Sequence, residues 1–210
     1  MPKRARPSPP QPATPKGRGW LRITGGVWRG RKIPVTAADN LRPTHERARE
    51  AIFNRLVHAA ETFGQRLQGA RVADLFAGTG ALGLEALSRG AAAAVFVEQD
   101  RTACTAIQSA LTSLHAEDRA EVLNADATNL PRAAHPCDIV LMDPPYAADA
   151  VGVALASLAA RGWLAPGALI VVEAETDAKT ASPPAFPPGF TLIDTRTYGR
   201  ATIWFLSTVK

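Results

Sequence analysis

The sequence has few cysteines, few aromatic residues and no long apolar run. Two cysteines, Cys104 and Cys137, occur in 210 residues, too few for a disulfide scaffold or a zinc cluster, and they fit a reducing compartment. Aromatic residues make up 6% of the chain. The longest uninterrupted apolar run covers residues 91–97, whereas a membrane-spanning helix needs roughly 18 apolar residues. We therefore expect no membrane span.

Several common catalytic signatures are also missing. The chain has no phosphate-binding P-loop and no G-x-S-x-G nucleophile turn. Its four histidines are scattered through polar surroundings, and we interpret them as surface residues rather than metal ligands: His45, His58, His115 and His135. We expect no metal site. The cysteines are better explained as small buried side chains than as methyl-accepting thiols.

The charge is distributed unevenly along an otherwise ordinary globular composition. Apolar residues make up 46% and charged residues 20% of the chain, which excludes collagen-like and wholly disordered proteins. Residues 1–71 carry a net charge of +11, and residues 72–210 carry −6. A basic segment beside an acidic domain indicates a nucleic-acid partner; the alternative is that the basic terminus only aids solubility.

Residues 1–19 are predicted to be a disordered basic tail. They contain six prolines, five basic residues and, after Met1, no large apolar residue, so they cannot contribute to a core. The apolar stretch of a secretory signal is missing, and prolines interrupt any amphipathic transit helix. We therefore expect a cytoplasmic protein.

Residues 20–66 are predicted to form a small basic addition to the main domain. Trp20–Val35 alternates apolar and polar residues around glycine turns, which is typical of a hairpin too small to be stable alone. Basic residues interleaved with Trp20 and Trp28 could hold phosphates and stack on bases. The alternative is a solvated hairpin whose tryptophans pack on the main domain.

A cationic helix is predicted over residues 41–60, with Thr44 as its N-cap. Apolar residues recur at helical spacing, so one face should pack against the next domain. Its arginines could contact RNA or form an exposed salt-bridged face with Glu46 and Glu50. The predicted RNA-binding residues of this addition are Arg22, Arg29, Arg31, Lys32, Arg42, Arg47 and Arg49.

Residues 67–210 are predicted to form the main α/β domain. Apolar strand-like runs alternate with helical stretches, and this repeated order predicts a parallel sheet covered on both faces. The predicted strands are 72–76, 94–98, 120–123, 138–143 and 168–173. Two further runs, 190–198 and 200–208, are joined tightly at Gly199, so they must pair antiparallel.

The first chemical motif follows the strand that contains Asp74. Gly78, Gly80 and Gly83 make a glycine turn into a helix, where the backbone can approach a ligand closely. Glu98, at the end of the next strand, could accept hydrogen bonds from both hydroxyls of a ribose. The pattern favours an adenosine-containing cofactor, either a dinucleotide or S-adenosylmethionine, over a merely structural turn. Asp126, after the third strand, could reach the adenine edge or cap the next segment.

The second motif is Asp143-Pro144-Pro145-Tyr146, at the carboxyl end of the fourth strand. Ligands of open α/β sheets bind at this edge. The prolines fix the backbone and remove two N–H donors. The Asp143 carboxylate and the Pro144 carbonyl remain as acceptors, and Tyr146 offers a ring face. An exocyclic amine on a base needs two acceptors and a stacking surface.

These residues resemble a known family. Asp74–Gly80 is similar to the cofactor loop of class I S-adenosylmethionine-dependent methyltransferases, and Asp143–Tyr146 to the (D/N/S)PP(Y/F/W) motif of those that methylate exocyclic amines. The segments 25–32, 41–44, 49–50 and 53–56 resemble the bacterial RsmD-type enzymes. These enzymes methylate N2 of a guanine in small-subunit (16S) rRNA.

The resemblance implies a fold, a site and a partner. The fold is a Rossmann-like class I methyltransferase fold: a mostly parallel seven-stranded sheet ending in an antiparallel hairpin. The partner is 16S rRNA, which we expect within a small-subunit particle or an assembly intermediate, and we expect the protein to be a monomer. The implied catalytic residues are Asp143, Pro144, Pro145 and Tyr146. The implied S-adenosylmethionine-binding residues are Asp74, Phe76, Ala77, Gly78, Thr79, Gly80, Glu98, Gln99, Asp126 and Ala127.

Three other functions compete with this interpretation. An adenine-N6 methyltransferase acting on DNA or RNA would use the same Asp143–Tyr146 motif, so only the N-terminal segments favour rRNA guanine. An NAD-dependent dehydrogenase would use the glycine turn and Glu98, but it leaves Asp143–Tyr146 and the final hairpin unexplained. A non-catalytic RNA-binding or assembly protein would have no need of both Asp143 and Glu98.

Overall fold

The computed structural model describes residues 19–35, 43–58, 61, 67–144, 148–175, 186–199 and 201–208. Strand β1 begins at Gly19, the last residue of the segment predicted to be a tail. The other residues of that segment lie outside the described part of the chain.

A two-stranded antiparallel hairpin precedes a seven-stranded sheet. The hairpin consists of β1 (Gly19–Arg22) and β2 (Lys32–Val35), with a short 3-10 helix (Gly26–Trp28) between them. The large sheet consists of β3 (Arg71–Leu75), β4 (Ala93–Glu98), β5 (Ala120–Asn124), β6 (Cys137–Met142), β7 (Leu164–Glu175), β8 (Phe190–Tyr198) and β9 (Ala201–Thr208). Four α-helices are described: α1 (Pro43–Val57), α2 (Ala81–Ser88), α3 (Arg101–Leu114) and α4 (Ala148–Ala160).

The strand order of the large sheet is β5-β4-β3-β6-β7-β9-β8. Strands β3 to β7 pair in parallel, and β9 pairs antiparallel with both β7 and β8. The predicted mostly parallel sheet with an antiparallel end is confirmed. Helix α1 begins at Pro43, one residue before the predicted N-cap Thr44, a difference within the usual uncertainty of helix ends.

Helices cover both faces of the sheet, as the apolar composition of its central strands requires. On one face, Ile52, Phe53 and Leu56 of α1 pack with residues of β6, β7 and β9. On the other face, Leu155 and Leu158 of α4 pack with the same three strands. The sequence spacing that predicted an apolar face on the first helix is therefore realised as packing against the main domain.

The N-terminal hairpin packs on α2, α3 and β4 rather than standing apart. The side chains of Leu21 and Ile33 are buried in a shared cluster with residues of these elements. Trp28 is also buried there, and the guanidinium of Arg119 lies 5.5 Å from the centre of its ring. Trp20 is 42% exposed. The tryptophans were expected either to pack on the main domain or to stack on bases. Trp28 packs on the main domain, whereas the ring of Trp20 is accessible to a partner.

A double glycine allows the hairpin to lie against the end of α2. Gly26 has φ = +76°, and a Cβ atom at this position would lie 1.8 Å from the backbone oxygen of Ser88. Replacing Gly26 by alanine is therefore expected to lower the free energy of unfolding by about 1–3 kcal/mol from backbone strain, with a further loss from the clash. Urea denaturation of the purified variant measures this loss.

The matched control for this substitution is Gly30→Ala. Gly30 also has a left-handed backbone, with φ = +83°, but a Cβ atom there would meet nothing within 4 Å. The Gly30 variant should show the backbone cost alone. Equal losses in the two variants would show that the contact with Ser88 has no effect on stability.

The two cysteines have the surroundings of buried core side chains. Cys104 and Cys137 are both buried, and burial raises the pKa of the Cys137 thiol to about 11, so this group stays protonated near neutral pH. Within the described ranges, no group of three or more His, Cys, Asp or Glu side chains is arranged to hold a metal ion. None of the helices described here is both long and apolar enough to cross a membrane.

Candidate active site

The two chemical motifs meet at the carboxyl edge of the sheet. Leu75 of β3 lies opposite Val97 of β4 and Met142 of β6. The residues that follow these three, namely Phe76, Glu98 and Asp143, therefore lie side by side at this edge of the sheet. Neighbouring strands lie about 4.8 Å apart, so Glu98 and Asp143 flank the glycine turn on its two sides.

The glycine turn is compact because three of its residues have a left-handed backbone. Phe76, Gly78 and Gly80 have φ values of +57°, +52° and +74°. Glycine adopts this conformation at no steric cost, but for phenylalanine it is strained, and such strain is concentrated at functional sites. Gly80 is the N-cap of α2, so the helix begins directly after the turn.

Asp74 fixes the start of α2 to the end of β3. Its carboxylate is 1% exposed and accepts a hydrogen bond of 2.8 Å from the backbone N–H of Gly83. Burial raises the pKa of Asp74 well above its usual range, against the opposing effect of the Gly83 bond, and the carboxylates of Asp143 and Glu98 raise it further. Asp74 is thus placed to shape the turn from inside the protein.

Glu98 holds the glycine turn from the β4 side. One carboxylate oxygen accepts a hydrogen bond from the N–H of Gly78, and the other accepts one from the N–H of Asp100, both at 2.8 Å. Each oxygen of a carboxylate can accept two hydrogen bonds. The half-buried Glu98 therefore keeps acceptor capacity on both oxygens for the hydroxyls of a ligand.

Asn124, which the sequence did not single out, supports the backbone at Glu98 from β5. It lies opposite Glu98 in the register of β4 and β5. Its side-chain amide donates hydrogen bonds to the backbone oxygens of Glu98 and Gln99, at 3.0 and 2.8 Å, and so fixes the backbone that carries the acidic side chain. One feature of the sequence could have identified Asn124: it is a polar residue at the end of a predicted strand, two residues before Asp126.

Asp126 and Ala127 lie on the same edge, after β5, but have different surroundings. Asp126 is exposed, and one of its carboxylate oxygens accepts hydrogen bonds from the N–H and the hydroxyl of Thr128, at 2.8 and 2.7 Å. It caps a turn rather than a helix, since the N–H of Asn129 bonds to the Asp126 carbonyl. Ala127 is 3% exposed and packs in the core cluster with residues of β4 and β6. Gln99 and Thr79 are exposed and half-buried, respectively.

The Asp143–Tyr146 motif lies only partly within the described residues. Asp143 is exposed and Pro144 is half-buried at the end of β6. Pro145 and Tyr146, also predicted to be catalytic, lie outside the described residues. Helix α4 begins soon afterwards at Ala148. The first half of the motif is therefore at the sheet edge that carries the glycine turn.

The predicted RNA-binding cations separate into two groups. Five are exposed: Arg22, Arg29, Arg31, Lys32 and Arg47. Arg49 is only 6% exposed, and its guanidinium donates a hydrogen bond of 2.7 Å to the Arg22 backbone oxygen. A buried guanidinium with partners inside the protein leaves little surface for a phosphate. The contacts of Arg49 therefore join parts of this chain to one another. Arg42 lies outside the described residues.

Comparisons with known proteins agree with this geometry. The family model described as "Conserved hypothetical protein 95" matches residues 21–207. The "Ribosomal RNA small subunit methyltransferase D" of Haemophilus influenzae is 37% identical over 89% of this chain and 93% of that protein. The protein of the same description from Escherichia coli K12 is 42% identical over 80% of this chain and 82% of its own length.

Solved structures show the same fold. The Escherichia coli protein yhhF superposes with a TM-score of 0.77 at 38% identity, covering 90% of this chain and 98% of that chain. A Thermus thermophilus 16S rRNA N2 G1207 methyltransferase, solved in complex with AdoMet and guanosine, superposes with a TM-score of 0.63 at 22% identity, covering 97% and 53%. That second likeness concerns the fold alone. This chain therefore belongs to the family described as "Conserved hypothetical protein 95" and is a relative of the proteins described as ribosomal RNA small subunit methyltransferase D in Haemophilus influenzae and Escherichia coli.

Proposed function

We propose that this chain methylates the exocyclic N2 amine of a guanine in small-subunit rRNA, with S-adenosylmethionine as methyl donor. The observation that carries the proposal is the placement of Glu98 and Asp143 on either side of one glycine turn. A ribose-binding carboxylate and an amine-binding carboxylate at one sheet edge is the arrangement that methyl transfer to a base requires. The rRNA methyltransferases of the family support the choice of substrate.

The residues of the turn fit the adenosyl cofactor. When bound, S-adenosylmethionine supplies an electrophilic methyl group on a sulfonium. Glu98 is suited to accept hydrogen bonds from the two ribose hydroxyls, and Asp126 lies one strand further along for the adenine. A Cβ atom at Gly78 would have no neighbour closer than 3.8 Å, so the glycine there leaves room for a ligand against the backbone.

Asp143 and Pro144 are proposed to hold the target amine. The lone pair of a guanine N2 is delocalised into the ring, so the amine is a poor nucleophile. Two acceptors on its hydrogens, the Asp143 carboxylate and the Pro144 carbonyl, favour a tetrahedral nitrogen and localise the lone pair. As methyl transfer proceeds, positive charge develops on the nitrogen, and the Asp143 carboxylate stabilises it. The bond between nitrogen and methyl would form as the bond between methyl and sulfur breaks, with the electron pair left on sulfur. The methylated ammonium would then release a proton to water. Tyr146 is proposed to stack on the base.

The exposed face of the hairpin is proposed to bind the RNA around the target. Trp20 and Arg22 alternate with the buried Leu21, and Arg22 lies opposite Lys32. Cations hold phosphates, and an exposed indole can stack on an unpaired base. The target guanine must leave its stack to enter the site, as in other base-modifying enzymes. We propose that the substrate is a small-subunit particle or assembly intermediate, and that the enzyme acts as a cytoplasmic monomer.

Binding to RNA should depend on salt through these cations. Arg22→Ala and Lys32→Ala are each expected to weaken binding of a small-subunit rRNA fragment and to reduce the slope of log K against log salt concentration by about 1. Filter binding at several salt concentrations measures the slope. Arg161→Ala is the matched control, since Arg161 is exposed at the end of α4, away from the hairpin. An unchanged slope in both hairpin variants would contradict RNA contact at this face.

The decisive experiment is incubation of the enzyme with labelled S-adenosylmethionine and small-subunit particles from cells that lack it. Nucleoside analysis by mass spectrometry should find N2-methylguanosine at one position of the rRNA. Labelled N6-methyladenosine would instead support the adenine alternative. No transfer to RNA, together with specific NADH binding, would support a dehydrogenase.

A further inference from the structure

The proposed reaction does not use the buried carboxylate of Glu85. This residue lies in α2 and is 0% exposed. Its carboxylate accepts hydrogen bonds from the backbone N–H and the hydroxyl of Thr24, at 2.9 and 2.6 Å, and from Nε of Arg89, at 2.7 Å. Thr24 lies in the N-terminal hairpin, just after β1. The Glu85 side chain of α2 is therefore hydrogen-bonded directly to the hairpin.

Two arginines extend this cluster to α1. Nε of Arg49 lies 3.6 Å from the Glu85 carboxylate, and Arg49 also donates a hydrogen bond to the Arg22 backbone. The Arg89 guanidinium donates to the hydroxyl of Thr24 and to the side-chain oxygen of Asn54 in α1, at 3.0 and 3.1 Å. Glu85 therefore connects the hairpin, α1 and α2. We call Thr24, Arg49, Glu85 and Arg89 the Glu85 clasp.

Helix α2 connects the Glu85 clasp to the glycine turn. At its start, Gly80 caps the helix and the N–H of Gly83 bonds to the Asp74 carboxylate. At its end, the hydroxyl of Ser88 accepts a hydrogen bond from the N–H of Trp28 and donates one to the Gly25 backbone oxygen, at 3.0 and 2.6 Å. This eight-residue helix thus contacts the glycine turn at one end and the hairpin at the other.

An ionic cluster is an unusual way to attach the hairpin, because apolar contacts already bury its inner face. A buried ion pair contributes little net stability relative to apolar side chains of the same volume, since both charges lose hydration. Hydrogen bonds to a carboxylate are, however, strongly directional. The clasp therefore fixes orientation more than it strengthens attachment.

We propose that Glu85 is a positioning residue, which holds the hairpin and α1 at a set position relative to the glycine turn. The role rests on the proposed function, because only an RNA substrate must contact the hairpin and the methyl-transfer site together. Without the clasp, the hairpin and the main domain would both remain folded. The position of the hairpin relative to Asp143 would be less well defined, and so would the position of the RNA bound to it.

Glu85→Gln tests this proposal, because glutamine keeps the volume and one acceptor oxygen but cannot balance two arginines. The KM for small-subunit particles is expected to rise about tenfold, while the Kd for S-adenosylmethionine and the kcat at saturating RNA change less than about twofold. Hydrogen exchange should increase in residues 19–35 but not in β3. Asp118→Asn is the matched control, since it removes the same charge from an exposed side chain.

A milder variant covers the case in which Glu85→Gln does not fold. Thr24→Val removes only the hydroxyl from the clasp and should show the same pattern at smaller amplitude. Unchanged KM and unchanged exchange in residues 19–35 would overturn the proposal, and so would a parallel loss of RNA and cofactor binding with general unfolding. Failure of the wild-type enzyme to methylate RNA would instead contradict the proposed function, because the exchange experiment needs no RNA.

Discussion

Replacing Asp143 by alanine is expected to lower the rate of methyl transfer by about 10²- to 10³-fold, with the Kd for S-adenosylmethionine nearly unchanged. The variant loses the carboxylate that accepts a hydrogen bond from the target amine and faces the charge developing on its nitrogen. The side chain is exposed at the end of β6, so its removal should not disturb the core. Initial rates with labelled cofactor and particles, together with calorimetric cofactor binding, measure the two quantities.

Asp143→Asn is the informative companion to the alanine variant. Asparagine keeps an acceptor oxygen at nearly the same place but carries no charge, so its rate should lie between those of the wild type and the alanine variant, about tenfold below the wild type. Retention of most of the rate by Asp143→Ala would remove Asp143 from the mechanism. A loss of cofactor affinity as large as the loss of rate would assign it to cofactor binding instead.

Replacing Glu98 by alanine is expected to raise the Kd for S-adenosylmethionine by about 100-fold, which corresponds to two hydrogen bonds to a charged group at about 1.5 kcal/mol each. The kcat at saturating cofactor should change far less, because Glu98 lies on the side of the turn away from Asp143. Equilibrium dialysis with labelled cofactor measures the Kd.

Two further variants make the Glu98 experiment specific. Glu98→Gln keeps one acceptor oxygen and should weaken binding by about tenfold. Glu121→Ala removes a carboxylate from β5 whose side chain is half exposed and lies near Arg71, at the opposite end of the strands, and should leave cofactor affinity unchanged. Equal affinity in the wild type and Glu98→Ala would exclude Glu98 as the ribose-binding group.

The sheet and the main motifs were predictable because local patterns encode them. Short apolar runs alternating with helical stretches predicted β3 to β7, and the tight link at Gly199 predicted the antiparallel pair. Glu98 and Asp143 were recognisable because both end apolar strands, and strand ends of a parallel sheet lie at one edge. That β4 and β6 both border β3 depends on pairing between distant segments, which no local pattern in one sequence specifies.

The burial of Arg49 and Trp28 was not predicted, and the physical reason is the same for both. Arg49 was predicted to bind RNA because it belongs to a cationic helix, but its partners, Glu85 and the Arg22 backbone, are distant in the sequence. Trp28 was grouped with Trp20 because basic residues are interleaved with both, and only the folded chain shows that one ring is buried and the other is exposed. Charge and aromatic content identify candidate surface residues, whereas tertiary contacts decide which of them a partner can reach.

The place of β9 in the sheet has a consequence for biosynthesis. This strand is the last one described, yet it lies between β7 and β8, and it supplies Ile203 and Phe205 to one core layer and Trp204 to the other. While the chain is being translated, α1 emerges early but cannot bury its apolar face completely until β9 has left the ribosome. A truncated polypeptide ending before Ala201 should therefore expose apolar surface, bind chaperones and be degraded rather than accumulate as a partly active enzyme.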